Sequence, residues 1–178
     1  LYSMADAVIV GKFVGTKGLA AVGATGTITF LIIGFLMGVT TGVTVLTSQK
    51  FGAGRMDEMR KTVGNAAILS AVIAVVMTAV SMLGMHRLLV FMHTPEDIFD
   101  GAYGYIMIIC AGIFTQVLYN LVSSILRALG NSKTPLYFLI LAAGLNIVLD
   151  LVFIIFFHWG APGAAWATVI SQGVSGVL

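Results

Sequence analysis

From Gly18 to Gln49 the chain reads GLAAVGATGTITFLIIGFLMGVTTGVTVLTSQ, without one charged side chain. A helix needs about 20 mostly apolar residues to cross a hydrocarbon layer of ~30 Å. This stretch is long enough for a complete crossing and its entry turn. It predicts that the solvent around this protein is lipid.

The composition of the whole chain agrees with that prediction. The 178 residues are 59% hydrophobic and 9% charged, and the mean hydropathy is +1.06. Soluble domains carry roughly 25% charged residues, and disordered chains need low hydrophobicity, so both classes are excluded. The formal charge of +2 supplies too few basic groups for a nucleic-acid partner. The single cysteine, Cys110, has no disulfide partner in the chain, and we expect it to pack in the core.

Further apolar stretches predict an all-α, polytopic membrane bundle of about six transmembrane helices in one domain, residues 1–178. The first and last helices are expected to be incomplete. Each proline lies at or just before a predicted helix start, where its missing N–H costs least. Besides Gly18–Gln49, the predicted spans are Leu1–Val14, Thr62–Met85, Gly101–Leu126, Thr134–Phe157 and a sixth that opens at Pro162.

The basic side chains predict the orientation. Cytoplasmic loops of membrane proteins carry an excess of Lys and Arg, and residues 50–61 and 127–134 hold six of the nine in this chain. We therefore expect these two loops to be cytoplasmic in a multi-pass protein of the plasma (inner) membrane. Within the second span, Gly34, Gly38 and Gly42 form a small-xxx-small stripe, which favours close helix packing or a surface that slides during transport.

Two carboxylates lie inside the predicted spans, Asp6 in the first and Asp150 in the fifth. Burying an ionisable side chain in a bilayer costs about 2.5–3.5 kcal/mol on insertion scales, so such a residue marks a functional site by default. Asn146 lies one turn before Asp150 on the same face, while Thr168, and Ser3 beside Asp6, add further oxygens. Desolvation favours a neutral carboxyl group, and oxygen ligands suit a hard cation. The set predicts a site for H⁺, Na⁺ or a cationic molecule in a shared cavity; alternatively, Asp150 only bonds a neighbouring helix through Asn146.

Other chemistry is not indicated. His86, His93 and His158 lie near span ends and lack metal-ligand spacing, so no metal is predicted beyond a possible Na⁺. The Gly52–Gly54 segment lacks the full spacing and terminal Lys of a phosphate-binding loop. We expect no cofactor other than the coupling ion.

Ordered motifs along the whole chain resemble the multidrug and toxic compound extrusion (MATE) family. The first-helix region reads LYSMAD at 1–6, VGKFVG at 10–15 and LAAVG at 19–23. The predicted cytoplasmic loops read FGAG at 51–54, and LRALGN at 126–131 followed by KTP. The motifs NIVLD at 146–150 and GAAWAT at 163–168 complete the series.

The resemblance implies a fold and a function. Members of this family are secondary antiporters of twelve helices in two pseudo-symmetric six-helix bundles. They are not enzymes, and they export cationic drugs against an inward H⁺ or Na⁺ gradient by alternating access. This chain would be most of the first bundle, and the second bundle of the same polypeptide would be its missing partner. The family's first-bundle cation site corresponds to Asp6, Asn146, Asp150 and Thr168, whereas Ser3 stands where the family frequently has Asn.

Two alternatives stay open. A lipid-linked oligosaccharide flippase of the same superfamily would need basic groups for pyrophosphate in its cavity, and the predicted spans contain no Lys or Arg except Lys12, near the end of the first. A non-transporting membrane scaffold would have no reason to bring Asp6 and Asp150 together. The positions of the two acids therefore discriminate between a transporter and a scaffold.

Overall fold

Helices make up nearly all of the described chain, so the predicted all-α class is confirmed. The computed structural model describes residues 2–178, with side chains from residue 4 onward, and contains no strand in that range. The helices are α1 (Tyr2–Phe13), α2 (Thr16–Gly52), α3 (Met56–Phe91), α4 (Glu96–Ala111), α5 (Ile113–Ala128), α6 (Lys133–Leu151), followed by a π-helical turn (Val152–Phe156), and α7 (Gly160–Val177).

Three helices are long and apolar enough to cross a membrane: α2, α3, and α6 together with its π-helical turn. The α4–α5 pair provides a fourth crossing if the two bent helices are counted as one span. Helix α2 has 37 residues and is therefore ~55 Å long at 1.5 Å per residue. It extends well beyond a hydrocarbon layer of ~30 Å.

The predicted loop at residues 50–61 is mostly helical. Helices α2 and α3 continue past their apolar stretches, and only residues 53–55 connect them. The charged residues are the reason, because Lys, Glu and Arg are good helix formers once a helix has left the membrane. Glu58 also accepts a hydrogen bond from Lys50 across the connection, and Asp57 and Glu58 suit the positive end of the α3 dipole. The other predicted cytoplasmic loop, 127–134, shortens to residues 129–132. The end of the bundle that carries these two connections is called the basic end below.

The fourth predicted span is broken at Gly112. Helices α4 and α5 meet there at an angle of 45°, and Val169 of α7 packs into the break. A Cβ atom at Gly112 would lie 2.2 Å from Val169 Cγ2, so only glycine leaves room for this close approach. The sequence predicts one continuous helix here, because apolarity indicates burial in lipid and carries no information about a bend.

Helix α7 lies at the centre of the bundle, where it contacts α1, α2, α4, α5 and α6. Its buried residues are mostly small, namely Ala161, Gly163, Ala164, Ala165, Ala167, Thr168, Ser171 and Ser175. Small side chains allow neighbouring backbones to approach closely, which is how helices associate in lipid. Large apolar side chains such as Phe30 and Leu83 point outward instead, as expected for a surface that faces lipid.

The glycine stripe of α2 does not pack within this bundle. Gly34, Gly38 and Gly42 are exposed, and a Cβ atom at any of them would meet nothing within 4 Å. The buried face of α2 instead includes Ile32, Leu36 and Thr40. Each glycine lies two residues from one of these, or ~200° around a helix of 3.6 residues per turn. The expectation of close packing by this stripe is therefore wrong for the described chain.

Candidate cation site

Three helices bring the predicted site residues together. Asp6 lies on α1, Asn146 and Asp150 lie on α6, and Thr168 lies on α7, and α1 contacts both α6 and α7. Asn146 and Asp150 share one face because they are four residues apart in a regular helix. The side chain of Ser3, which was predicted to lie beside Asp6, falls outside the described side chains.

A closed hydrogen-bond triangle joins three of the four side chains. Asn146 Nδ2 donates to Asp6 Oδ1 at 3.2 Å and to Thr168 Oγ1 at 3.2 Å. Thr168 Oγ1 donates to Asp6 Oδ2 at 3.0 Å. Both carboxylate oxygens of Asp6 therefore have a donor, from two different helices. Hydrogen bonds to a buried charged group contribute about 1.5–3 kcal/mol each.

Asp150 completes the cluster in a different way. Its carboxyl group lies beside that of Asp6, near enough for the two acids to share one proton, but neither of its oxygens accepts a hydrogen bond from the described residues. The Asn146 Oδ1 atom is also buried without a partner. No hydrogen bond joins Asn146 to Asp150, because Asn146 donates to Asp6 and Thr168. The alternative in which Asp150 only bonds a neighbouring helix through Asn146 is therefore not what the described residues show.

This arrangement requires a positive charge. Two carboxylates in contact in an apolar interior cannot both remain ionised, because their repulsion adds to the cost of removing each from water. A proton shared between the two acids removes one negative charge and supplies the missing donor. A Na⁺ ion would balance the same charge, and the unpaired oxygens of Asp150 and Asn146 would be its ligands. Either cation would therefore satisfy the charge of the two acids.

The site is enclosed by protein. Asp6 is 1% exposed, Asn146 and Asp150 are 0% exposed, and Thr168 is 6% exposed. The sequence predicted a site in a shared cavity, and in this conformation the four side chains are buried among the helices. Small residues of α7 allow α1 and α6 to pack closely over the cluster.

Two neighbouring features were not predicted from the sequence. Tyr105 of α4 is buried, and the charges of Asp6 and Asp150 both act on its hydroxyl group. The π-helical turn begins two residues after Asp150, and such turns frequently accompany functional sites. A tyrosine within a charge-free span was the only available signal for the first feature, and no sequence pattern marked the second.

The comparisons with known proteins agree with this fold. The MatE family model matches residues 1–152. The probable multidrug resistance protein YpnP of Bacillus subtilis (strain 168) is 32% identical over 98% of this chain. The chain spans only 39% of the length of that relative.

Two solved structures of multidrug resistance MATE transporters of the MOP superfamily match equally well. One is in the outward-facing and one in the inward-facing conformation. Each gives a TM-score of 0.93 at 30% identity over 99% of this chain. The chain covers 39% of the first and 40% of the second.

Proposed function

This chain belongs to the MatE family, and we propose on that basis that it forms the first bundle of a secondary antiporter. In this proposal the full-length protein exports cationic organic compounds across the plasma membrane in exchange for H⁺ or Na⁺. The observation that carries the proposal is the contact between Asp6 and Asp150 inside the bundle, with Asn146 and Thr168 bonded to Asp6.

Coupling follows from the charge requirement of the two acids. With a proton or Na⁺ bound, the cluster is closed and the bundle keeps the packing of α1 against α6 and α7. When the ion leaves, the uncompensated carboxylates favour separation of these helices and entry of water or a cationic substrate. A ligand shifts such an equilibrium only by its difference in affinity for the two states, and the cluster supplies that difference.

The larger motion is a rocking of the two bundles. This chain matches an outward-facing and an inward-facing relative with the same TM-score, which supports a bundle that moves as a nearly rigid body between states. A second bundle from the rest of the polypeptide would then form the opposite wall of the substrate cavity.

The test is efflux of a cationic dye by the full-length transporter in proteoliposomes, driven by an imposed H⁺ or Na⁺ gradient. Asp150→Asn and Asp6→Asn should each abolish gradient-driven efflux, because an amide supplies a donor but cannot release a proton. Asp100→Asn is the matched control, since Asp100 is an exposed acid outside the predicted site. Undiminished coupled efflux by Asp150→Asn would refute the proposal.

The alternatives are less well supported. A scaffold gives no reason for Asp6 and Asp150 to meet, yet they are in contact. A pyrophosphate flippase needs basic groups in the cavity between its bundles, and the apolar stretches 18–49, 62–85, 101–126 and 134–157 contain no Lys or Arg.

A further inference from the structure

A polar pocket lies between α2 and α5 towards the basic end of the bundle. Its volume is about 240 Å³. The polar side chains that line it are Thr40, Thr41, Thr44, Asn120, Ser124 and Arg127. None of them belongs to the cation site. Among the residues that line the pocket, Arg127 alone is ionisable.

The α5 wall of the pocket supplies hydrogen-bond donors. Arg127 Nη2 donates to Ser124 Oγ at 3.3 Å, and Ser124 is 1% exposed. This bond places the guanidinium group at the mouth of the pocket, where Arg127 is exposed, and uses only one of its five N–H groups. Among the described side chains, no carboxylate lies within 4.0 Å of Arg127. Asn120 uses one amide N–H to bond the Gln116 carbonyl at 2.8 Å, which leaves the other free.

The α2 wall supplies acceptors. The hydroxyls of Thr41 and Thr44 donate to backbone carbonyls one turn earlier, at 2.7 and 2.9 Å, and Thr40 bonds its own helix in the same way. Because each proton is used inside the helix, the threonine oxygens present lone pairs to the pocket. One wall is therefore cationic and rich in donors, and the other accepts hydrogen bonds.

We infer that this pocket binds a phosphate ester, with the phosphate on Arg127 and Asn120 and a neighbouring hydroxyl or ammonium group on the threonine oxygens. An unpaired guanidinium matches the geometry and charge of phosphate oxygens. The volume is below the ~300 Å³ of a small drug pocket, so the pocket holds the phosphate group while the rest of the ligand extends outside. Such a group belongs either to a phospholipid of the adjacent leaflet or to a soluble phosphorylated compound.

Two probes with the same aromatic body test the inference. The full-length transporter in detergent is titrated with 4-methylumbelliferyl phosphate and with 4-methylumbelliferone, which lacks the phosphate. Arg127→Gln should weaken binding of the phosphate ester about tenfold or more, as expected for a lost charged hydrogen bond, and should leave binding of 4-methylumbelliferone unchanged. Arg60→Gln is the control, because Arg60 is an exposed basic residue of α3 that does not line the pocket.

A second readout distinguishes the sources of the phosphate. Phospholipid retained by each purified variant is measured by phosphorus analysis. If Arg127→Gln weakens the ester and retains its phospholipid, the pocket takes a soluble phosphorylated compound; if phospholipid is lost, it takes a lipid headgroup. If neither quantity differs from that of Arg60→Gln, the inference is wrong. Ser124→Ala keeps the charge of Arg127 but removes the hydroxyl group that accepts its hydrogen bond. This variant should weaken binding of the phosphate ester by a smaller factor, and it replaces Arg127→Gln in the test if that variant does not fold.

Discussion

Replacing Gly112 by alanine tests the physical cause of the break between α4 and α5. The added Cβ atom would lie 2.2 Å from Val169 Cγ2, 2.9 Å from Cγ1 and 3.1 Å from Cβ. Rotation of the valine side chain cannot relieve all three contacts, since its Cβ atom is itself too close. Overpacking of this kind costs about 1–3 kcal/mol. The unfolded alanine variant has less conformational entropy, which stabilises the folded state by about 0.4–1 kcal/mol. We therefore expect the free energy of unfolding to fall by about 1–2 kcal/mol in total.

A double-mutant cycle separates this contact from other effects of the alanine. Val169→Ala removes both methyl groups that clash, so Gly112→Ala with Val169→Ala should lose less stability than the sum of the two single changes, by about 1 kcal/mol. The assay is reversible unfolding of the full-length protein in mixed detergent micelles. Full stability of Gly112→Ala, or strict additivity in the cycle, would refute the assignment of the break to this contact.

Three other predictions concern the site and the two connections at the basic end. Thr168→Val, which removes the donor to Asp6, should reduce ion-coupled efflux at least tenfold, whereas Thr168→Ser should retain most of it; equal activity of the two variants would count against the hydrogen-bond triangle. Asn131→Ala should destabilise the protein by about 1 kcal/mol in the same unfolding assay, because Asn131 Oδ1 accepts a hydrogen bond from the Thr134 N–H at 3.1 Å at the start of α6. Ser132→Ala should have no effect, since the Ser132 side chain makes no capping bond. Equal losses of stability in the two variants would contradict the assignment of this cap to Asn131. The hydrogen bond from Lys50 lowers the pKa of Glu58 below 4.5, so the stability that this pair adds is present above the unfolded pKa of Glu58 and is lost as the pH falls through its folded pKa. Lys50→Gln should therefore raise the pKa of Glu58, which NMR can follow. An unchanged pKa would show that the bond does not form in solution.

The sequence predicted the order of the apolar helices because charge and apolarity respond directly to the solvent. The number of complete crossings is smaller than the six predicted spans, since three helices, or four with the bent α4–α5 pair, are long and apolar enough to cross a membrane. Residues 18–49 lack charge, so they had to lie in lipid, and helix α2 contains them completely. The ends of the helices were harder to predict from the sequence. Helices α2 and α3 run on through charged residues until only residues 53–55 connect them, because a helix can continue in water as well as in lipid.

The site was predictable for a related reason. A carboxylate inside a span is costly, so Asp6 and Asp150 stood out from the sequence alone. Their partners were harder to assign, because Asn146 shares a helix face with Asp150 but donates its hydrogen bond to Asp6 on another helix. Which helix faces which depends on the small residues of α7 and on the break at Gly112, and neither has a signature in hydropathy.

The most direct test of the coupling role is ion release on substrate binding, measured without transport. The full-length protein in weakly buffered detergent solution is loaded with H⁺ or with radioactive Na⁺, and a cationic substrate is then added. We expect wild type and Asp100→Asn to release the ion, whereas Asp6→Asn and Asp150→Asn should bind the substrate and release none. Undiminished release by both site variants would contradict it, since the displaced ion would then come from somewhere other than the pair of buried acids.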